Sequence, residues 1–317
     1  MNLELKNILN KKGSKREPFF FLISYDLTHF IVQPLNGLDE DIQFEMNNKI
    51  SSKINEKIVV EKNPLSFESY EKKFNILQEH IKSGNSYLLN LTAQTNISTT
   101  LDLDEIYKKA QSKFKLKYKD KFVCFSPERF IEIKKNRIFT YPMKGTIDAS
   151  EPNAQARILG DTKEMAEHTM VVDLLRNDLG IVSKKVRVDK FRYIEKINAG
   201  DKKLLQVSSK ISGHLDENWH DKIGDILTSL LPAGSITGTP KKKTVEILEN
   251  TEEYNRGFYT GIFGVYDGKS LDSAVLIRFV EKNSKGELFY KSGGGITCDS
   301  NAHSEYQELI DKIYIPA

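Results

Sequence analysis

The sequence predicts an α+β fold, and two observations carry that reading. Strand-like segments come in runs interrupted by helical ones, without the regular strand–helix–strand alternation that builds a parallel sheet. Asp267-Gly268, a strong hairpin signal, joins two strand-like stretches, Phe258 to Tyr266 and Ser273 to Glu281.

The elements follow in order. Lys11 to Glu17 is polar and reads as a loop. Phe19 to Ser24 is a continuous apolar run, expected as a buried strand, and Phe30 to Val32 is placed to pair with it across a turn at Asp26 to His29. Leu35 to Asn63 is polar and patternless, a peripheral or linking stretch. The expected organisation is therefore a short N-terminal region, residues 1–63, contributing edge strands, before a main domain of residues 64–317. Phe67, Tyr70, Phe74, Leu77 and Ile81 recur at helical spacing, and Gly84 ends that helix. Tyr87 to Leu91 reads as a strand, as do Phe122 to Phe125, Phe130 to Ile133 and Arg137 to Tyr141. A helix is expected from Lys163 to Leu179, with Asp161 as N-cap, Glu164 as its capping-box partner and Gly180 as its stop. Further helices are expected over Ile223 to Leu230, from Lys241 to Glu249 behind Thr239-Pro240, and from Asn301 to Tyr314. A last strand is expected to end at Gly293-Gly294-Gly295.

Composition narrows the function. The 317 residues are 39% hydrophobic, enough to core one large domain or two ordinary ones. Basic residues exceed acidic ones by only 47 − 44 = 3, which leaves no electrostatic footprint for nucleic acid. Cys124 and Cys298 are far apart and outside any CxxC pair, so two reduced, small hydrophobic side chains are expected rather than a zinc site or disulfide framework. Met1 to Asn10 lacks the apolar centre of a signal peptide, and no apolar run approaches the ~20 residues of a membrane span. A soluble, cytoplasmic protein is expected.

Paired carboxylates are the first chemical signal. Glu164 and Glu167 lie three apart on one predicted helix, Glu305 and Glu308 three apart on another, with Lys312 one turn further on. Two such faces suit a hard divalent cation such as Mg²⁺; solvated faces with ion pairs such as Glu308 to Lys312 fit the same spacing. Gly293-Gly294-Gly295 allows backbone N–H groups close to an anion, with Arg278 and Lys312 supplying charge, and equally allows a plain tight turn. Gly234 to Lys241 is not a phosphate loop, because Thr239 occupies the second glycine position. Lys144, between Met143 and Gly145 after a strand, is a nucleophile only if burial lowers its pKa; most lysines are simply solvated.

Six blocks then occur in one order: Ser126-Pro-Glu-Arg-Phe130, Pro142-Met-Lys-Gly-Thr146, Ala166 to Gly180, Pro232 to Lys241, Gly293-Gly-Gly-Ile296 and Glu305-Tyr-Gln-Glu308. Together they resemble the chorismate-utilising enzymes (the anthranilate, aminodeoxychorismate, isochorismate and salicylate synthases) from about Phe67 to the C-terminus. The resemblance implies an anthranilate synthase-like fold, a two-layer β core flanked by helices, with chorismate in a deep cleft. It implies Mg²⁺ held by Glu167 and Glu308 and, through water, by Glu164 and Glu305. It implies that Arg278, Tyr259, Lys312 and the Gly294 and Gly295 amides hold the substrate's carboxylates. Thr237 and Gly238 line the cleft on the same reading, and Thr146 and His168 join the substrate-binding set.

Within that family, lysine at the Lys144 position marks the aminodeoxychorismate synthases, whereas anthranilate synthases carry alanine. The resemblance therefore implies a Lys144 nucleophile, Glu128 as general acid, and 4-amino-4-deoxychorismate, a precursor of p-aminobenzoate and folate, as product. Tyr87 to Leu91 contains no lysine, unlike the corresponding strand of the water-adding members. No cysteine-centred glutaminase block is present, so ammonia is expected from solution or from a separate glutamine amidotransferase. Gln206 and Met143 depart from the common pattern, and no Leu-Leu-Glu-Ser block for tryptophan is found. The alternatives are an anthranilate synthase component I and a non-catalytic chorismate-binding subunit.

Overall fold

The computed structural model describes residues 2–48, 58–199 and 202–316. Its helices are α1 (Leu3–Ser14), α2 (Phe67–Lys82), α3 (Leu103–Lys109), α4 (Ala154–Gly160), α5 (Thr162–Val182), α6 (Ile223–Leu230), α7 (Lys241–Glu252) and α8 (Ala302–Asp311). The first strands are β1 (Phe19–Ile23), β2 (Phe30–Pro34), β3 (Ile42–Glu45), β4 (Glu61–Asn63), β5 (Leu88–Ser98), β6 (Phe114–Tyr118), β7 (Phe122–Ser126), β8 (Arg129–Lys134) and β9 (Arg137–Thr140). The rest are β10 (Met143–Asp148), β11 (Lys184–Ala199), β12 (Lys202–His214), β13 (Gly238–Thr239), β14 (Ile262–Tyr266), β15 (Leu271–Val275), β16 (Phe279–Lys282) and β17 (Leu288–Ile296).

Among the described residues the strands form two antiparallel sheets. One runs β10-β12-β9-β8-β15-β14-β1-β2 with β11 beside β12; the other runs β13-β5-β17-β16-β7-β6-β3 with β4 beside β5. The period of two along β1 shows how they stack. Phe20 and Leu22 join Phe263 and Ala274 against Phe114, Leu116, Phe122 and Phe279 of the second sheet, so the sheets pack face to face. Phe19, Phe21 and Ile23 point the other way, into a layer with Leu5 and Leu9 of α1, Leu175 and Leu179 of α5, and Leu227 of α6. The far face of the second sheet is covered by α2, α7 and α8 through Phe74, Leu77, Ile247, Leu248 and Leu309. The expected two-layer β core flanked by helices is present. β2 and β3 are outer strands, and β1 lies one strand in from an edge. Cys124 is buried and Cys298 exposed, both as free thiols.

The structure corrects several expected boundaries. Residues 3–14 are helical where a loop was expected from Lys11: Asn2 caps the first turn by accepting from Leu5 N at 3.1 Å, and Leu5 and Leu9, one turn apart and both wholly buried, anchor the helix to the core. Helix α5 runs through Gly180 to Val182, because its end is made by Ser183, whose N–H and hydroxyl both reach Leu179 O. Asp161 caps α5 by accepting from Glu164 N at 2.9 Å, but the reciprocal half of the capping box is absent: Asp161 N donates to Arg157 O. The stretch Phe258 to Glu281 is three strands rather than two. It breaks at Leu276 to Arg278, where Arg278 adopts φ 55° and the chain passes from one sheet to the other. The three glycines continue strand β17 to Ile296, paired with β5, instead of forming a turn.

Candidate active site

Two crossings between the sheets build the site. The chain leaves the second sheet at Ser126 and enters the first at Arg129, and it makes the opposite passage from Val275 to Phe279. The crossings run side by side: Phe125 N donates to Arg278 O at 3.1 Å and Val275 N to Glu128 O at 3.2 Å. Glu128 and Arg278 thus sit at the seam, where neither sheet continues. Ser126 Oγ accepts from Glu128 N at 3.1 Å and fixes the first bend.

A cavity of ≈ 150 Å³ opens at this seam, lined among others by Asn90, Glu128, Lys144, Glu167, Ser235, Tyr259, Arg278, Lys291, Gly293, Gly295 and Lys312. Its floor uses the end of β17 that has a partner on one side only. Asn90 is opposite Gly295, yet its N–H donates outward to Thr237 O at 2.8 Å. Antiparallel alternation then turns the Gly293 and Gly295 amide groups away from β5, while the Gly294 amide is spent on the ladder. The Gly294 amide, expected to face a ligand, is therefore directed into the ladder, and the amides directed away from β5 are those of Gly293 and Gly295. Gly294 contributes a missing side chain instead: a Cβ there would lie 3.5 Å from a Glu305 carboxylate oxygen and 3.9 Å from Glu308 and Lys312.

Beside this floor the two acidic helix faces converge on Lys144. Its ammonium is 2.8 Å from Glu167 Oε2, and Glu308 and Glu164 also act on it electrostatically. Burial lowers the pKa of this lysine, but those carboxylates outweigh burial and leave it above the ordinary value. The lowered pKa anticipated for a buried Lys144 is thus reversed in this state. Lys312 sits 2.6 Å from Glu308 Oε1 and 2.8 Å from Gly293 O. Burial raises Glu164 and Glu305, whereas in Glu308 the ammonium of Lys312 overcomes burial and keeps the carboxyl below its usual range. Ser300 donates to Glu305 at 2.8 Å, while Glu164 Oε2 is buried without a partner.

Glu128 is pushed upward by burial, which outweighs a 2.6 Å hydrogen bond from Ser235 Oγ and the charges of Arg278 and Lys312. Arg278 Nε is buried and has no hydrogen-bond acceptor. A carboxyl whose neutral form burial favours, beside a guanidinium Nε without an acceptor, suits a site that binds an anion and donates a proton.

The remaining expected residues are placed as follows. Tyr259, Arg278, Gly295 and Lys312 line the cavity. Thr237 does not: its hydroxyl donates to Ala233 O at 2.8 Å. Gly238 has φ +133° and no room for a side chain, since a Cβ would lie 1.8 Å from Leu88 O, so it serves the β13–β5 pairing. His168 lies on the buried face of α5, bonded to Ser209 Oγ at 2.7 Å, with its pKa drawn down to about 4 by burial. Thr146 is exposed on β10. Among the lining residues, Ser235, Asn90 and Lys291 carry no signal of a site in the sequence. Ser235 lies inside a recognised block without any pattern marking its role. Asn90 lies in a strand read only for its lack of lysine. Lys291, 2% exposed on the side chain, is paired with Glu281 at 2.7 Å, and no periodicity marks a buried lysine.

Among the described residues no three His, Cys, Asp or Glu side chains form a closed metal-binding cluster. The donor set nevertheless fits Mg²⁺, which takes one or two carboxylates and completes its shell with water and substrate. Glu167 pairs with Lys144, Glu164, Glu305 and Glu308 act on the same ammonium electrostatically, and Glu164 Oε2 is buried without a partner. No helix among the described residues is long and apolar enough to cross a membrane.

The chain is similar to known proteins in sequence and in fold. Residues 39–317 match the family described as chorismate binding enzyme. An uncharacterized PabA-like protein of Haemophilus influenzae is 47% identical over 311 residues, covering 97% of this chain and 94% of its own length. Aminodeoxychorismate synthase component 1 of Escherichia coli is 33% identical over 261 residues; the match covers 78% of this chain but only 56% of that protein. The crystal structure of anthranilate synthase component I from Streptococcus pneumoniae superposes with a TM-score of 0.68 at 24% identity, covering 82% of this chain and 59% of that one, which bears out the expected fold.

Proposed function

The chain belongs to the chorismate-binding enzyme family, and from that premise we propose that it is an aminodeoxychorismate synthase component I, using chorismate and ammonia. The observation that carries this reading is that Lys144 and Glu128 line one cavity with Arg278, Tyr259 and Lys312. It is a nucleophile and an acid facing cations suited to a dianion.

In this reading Arg278, Tyr259, Lys312 and the Gly293 and Gly295 amides hold the two carboxylates and orient the ring, which supplies much of the rate by positioning. Lys144 first gives up to solvent the proton that Glu167 and its neighbours hold on it, and the neutral amine then forms a bond from Nζ to C2. The ring double bond shifts, the C4–O bond breaks, and Glu128 gives its proton to the departing oxygen, which leaves as water. Ammonia then bonds to C4, the double bond returns, and the C2–N bond to Lys144 breaks. The surplus proton of the added ammonia goes back to Glu128. The sum is chorismate plus ammonia to 4-amino-4-deoxychorismate plus water. Glu167 and Glu308 would hold Mg²⁺, with Glu164 and Glu305 behind them. The bound ion would supply positive charge against the ring carboxylate. A separate glutamine amidotransferase is the proposed source of ammonia.

Product analysis tests the reading. Purified chain with chorismate, Mg²⁺ and an ammonium salt is expected to yield 4-amino-4-deoxychorismate by chromatography and mass spectrometry. Anthranilate would make it an anthranilate synthase component, and bound but unconverted chorismate would leave a binding subunit.

A further inference from the structure

Arg256 lies outside the cavity lining, yet it is hydrogen-bonded to four of the residues that form it. The guanidinium is 2% exposed and paired with Glu252, Nε to Oε2 at 2.7 Å and Nη2 to Oε1 at 2.6 Å. Glu252 is itself held to β5 by Thr92, whose N–H and hydroxyl donate to Oε1 at 2.9 and 2.8 Å. From this anchor Nη2 donates to Asn90 O at 2.8 Å and Nη1 to Ile236 O at 2.9 Å. The carbonyl of Arg256 accepts from Lys291 Nζ at 3.1 Å and from Tyr259 N at 3.1 Å. Asn90, Ile236, Tyr259 and Lys291 all line the cavity and come from four separate segments of the chain.

A buried ion pair is weak evidence for stability alone, because desolvation offsets its attraction. What distinguishes this one is where the spare N–H groups go. A planar guanidinium meets a carboxylate with one pair of donors and still reaches two carbonyls in fixed directions; an ammonium lacks that fork. We infer that Arg256 is a positioning residue for the substrate, setting the spacing between the Asn90 wall, the Ile236 turn, Tyr259 and Lys291. This rests on the reading of the cavity as the chorismate site.

The test is Arg256→Lys, which keeps the charge beside Glu252 but loses the simultaneous reach to Asn90 O and Ile236 O. Chorismate affinity is measured by calorimetry well below the unfolding midpoint, with the midpoint recorded in parallel. Leu9→Ala, in the α1 core layer away from the cavity, is the control for stability loss without repositioning. Arg256→Lys is expected to weaken chorismate binding at least tenfold, and to raise KM by a similar factor with a smaller change in kcat. Leu9→Ala is expected to lower the midpoint and leave binding unchanged. An Arg256→Lys variant that loses thermal stability but binds chorismate like the parent overturns the role. Should that variant not fold, Thr92→Val, which removes one of the bonds holding Glu252, decides by the same criterion: about threefold weaker binding supports the role and unchanged binding overturns it. A parent chain that binds no chorismate overturns the reading of the cavity, and the role of Arg256 with it.

Discussion

Ser235 donates a 2.6 Å hydrogen bond to Oε1 of Glu128, a carboxyl that burial holds above its ordinary range. The bond favours the ionised form, so it opposes burial. Ser235→Ala removes that restraint, and the carboxyl stays protonated to higher pH. The alkaline limb of the pH–rate profile for chorismate consumption is expected to move upward, while the acid limb stays in place. An unchanged alkaline limb would separate Glu128 from proton donation.

Glu167 and Glu308 divide their attention between two ammonium groups, at 2.8 Å from Lys144 and 2.6 Å from Lys312. If the same carboxylates hold Mg²⁺, a chelator abolishes turnover and added Mg²⁺ restores it. Glu167→Gln, neutral and of equal size, is expected to raise the Mg²⁺ concentration for half-maximal activity by more than about tenfold, the cost of a lost direct ligand. Titrating Mg²⁺ against initial rate checks this, and an unmoved half-point removes Glu167 from the metal's shell.

Gly238 occupies φ +133° with Leu88 O where a Cβ would stand, at 1.8 Å. Gly238→Ala is expected to destabilise the chain by more than about 2 kcal/mol, through backbone strain and steric displacement together. Urea unfolding measures it. A loss below about 0.5 kcal/mol would mean that the β13–β5 pairing gives way easily.

His220 accepts from Arg16 Nη1 at Nε2, 2.5 Å away, and its Nδ1 meets Tyr266 Oη at 2.5 Å. Burial, and then the Arg16 charge, draw its pKa down to about 4 from an ordinary 6.5. A folded-state pKa below the unfolded one means that the unfolded chain takes up the proton first. The contribution is therefore intact above about pH 6.5 and is lost as pH falls toward 4. Between pH 7 and pH 5 the loss from this group is about 1–2 kcal/mol. His220→Gln is expected to flatten that part of the stability–pH curve, measured by urea unfolding. His168, drawn down to about 4 by burial, keeps its own share of the slope.

The parts of this molecule that were legible in its sequence are those with a local cause. The apolar run at Phe19 and the 3.6-residue spacing of α2 name their own structures, because period and burial are local quantities. Glu164, Glu167, Glu305 and Glu308 were found by spacing, and Lys144 and Glu128 by their blocks. What stayed hidden depends on distant partners. The glycines of β17 form strand rather than turn because β5 lies beside them, a pairing across some two hundred residues. The amide available to a ligand, at Gly293 rather than Gly294, follows from that register and from nothing nearby. The pKa of Lys144 depends on Glu167, Glu164 and Glu308, which only the fold brings together. Arg256 gives no sign in the sequence of the four segments it joins.

The central claim, that Lys144 directs nitrogen to C4 of chorismate, is tested most directly by comparing the products of the parent chain and of Lys144→Ala. Both are incubated with chorismate, Mg²⁺ and an ammonium salt at mildly alkaline pH, and the products are separated and identified by mass spectrometry. The account predicts 4-amino-4-deoxychorismate from the parent, and its loss, or drift toward anthranilate, in the variant. The same 4-amino product at an undiminished rate from Lys144→Ala would contradict it and leave Lys144 as a counter-ion to Glu167.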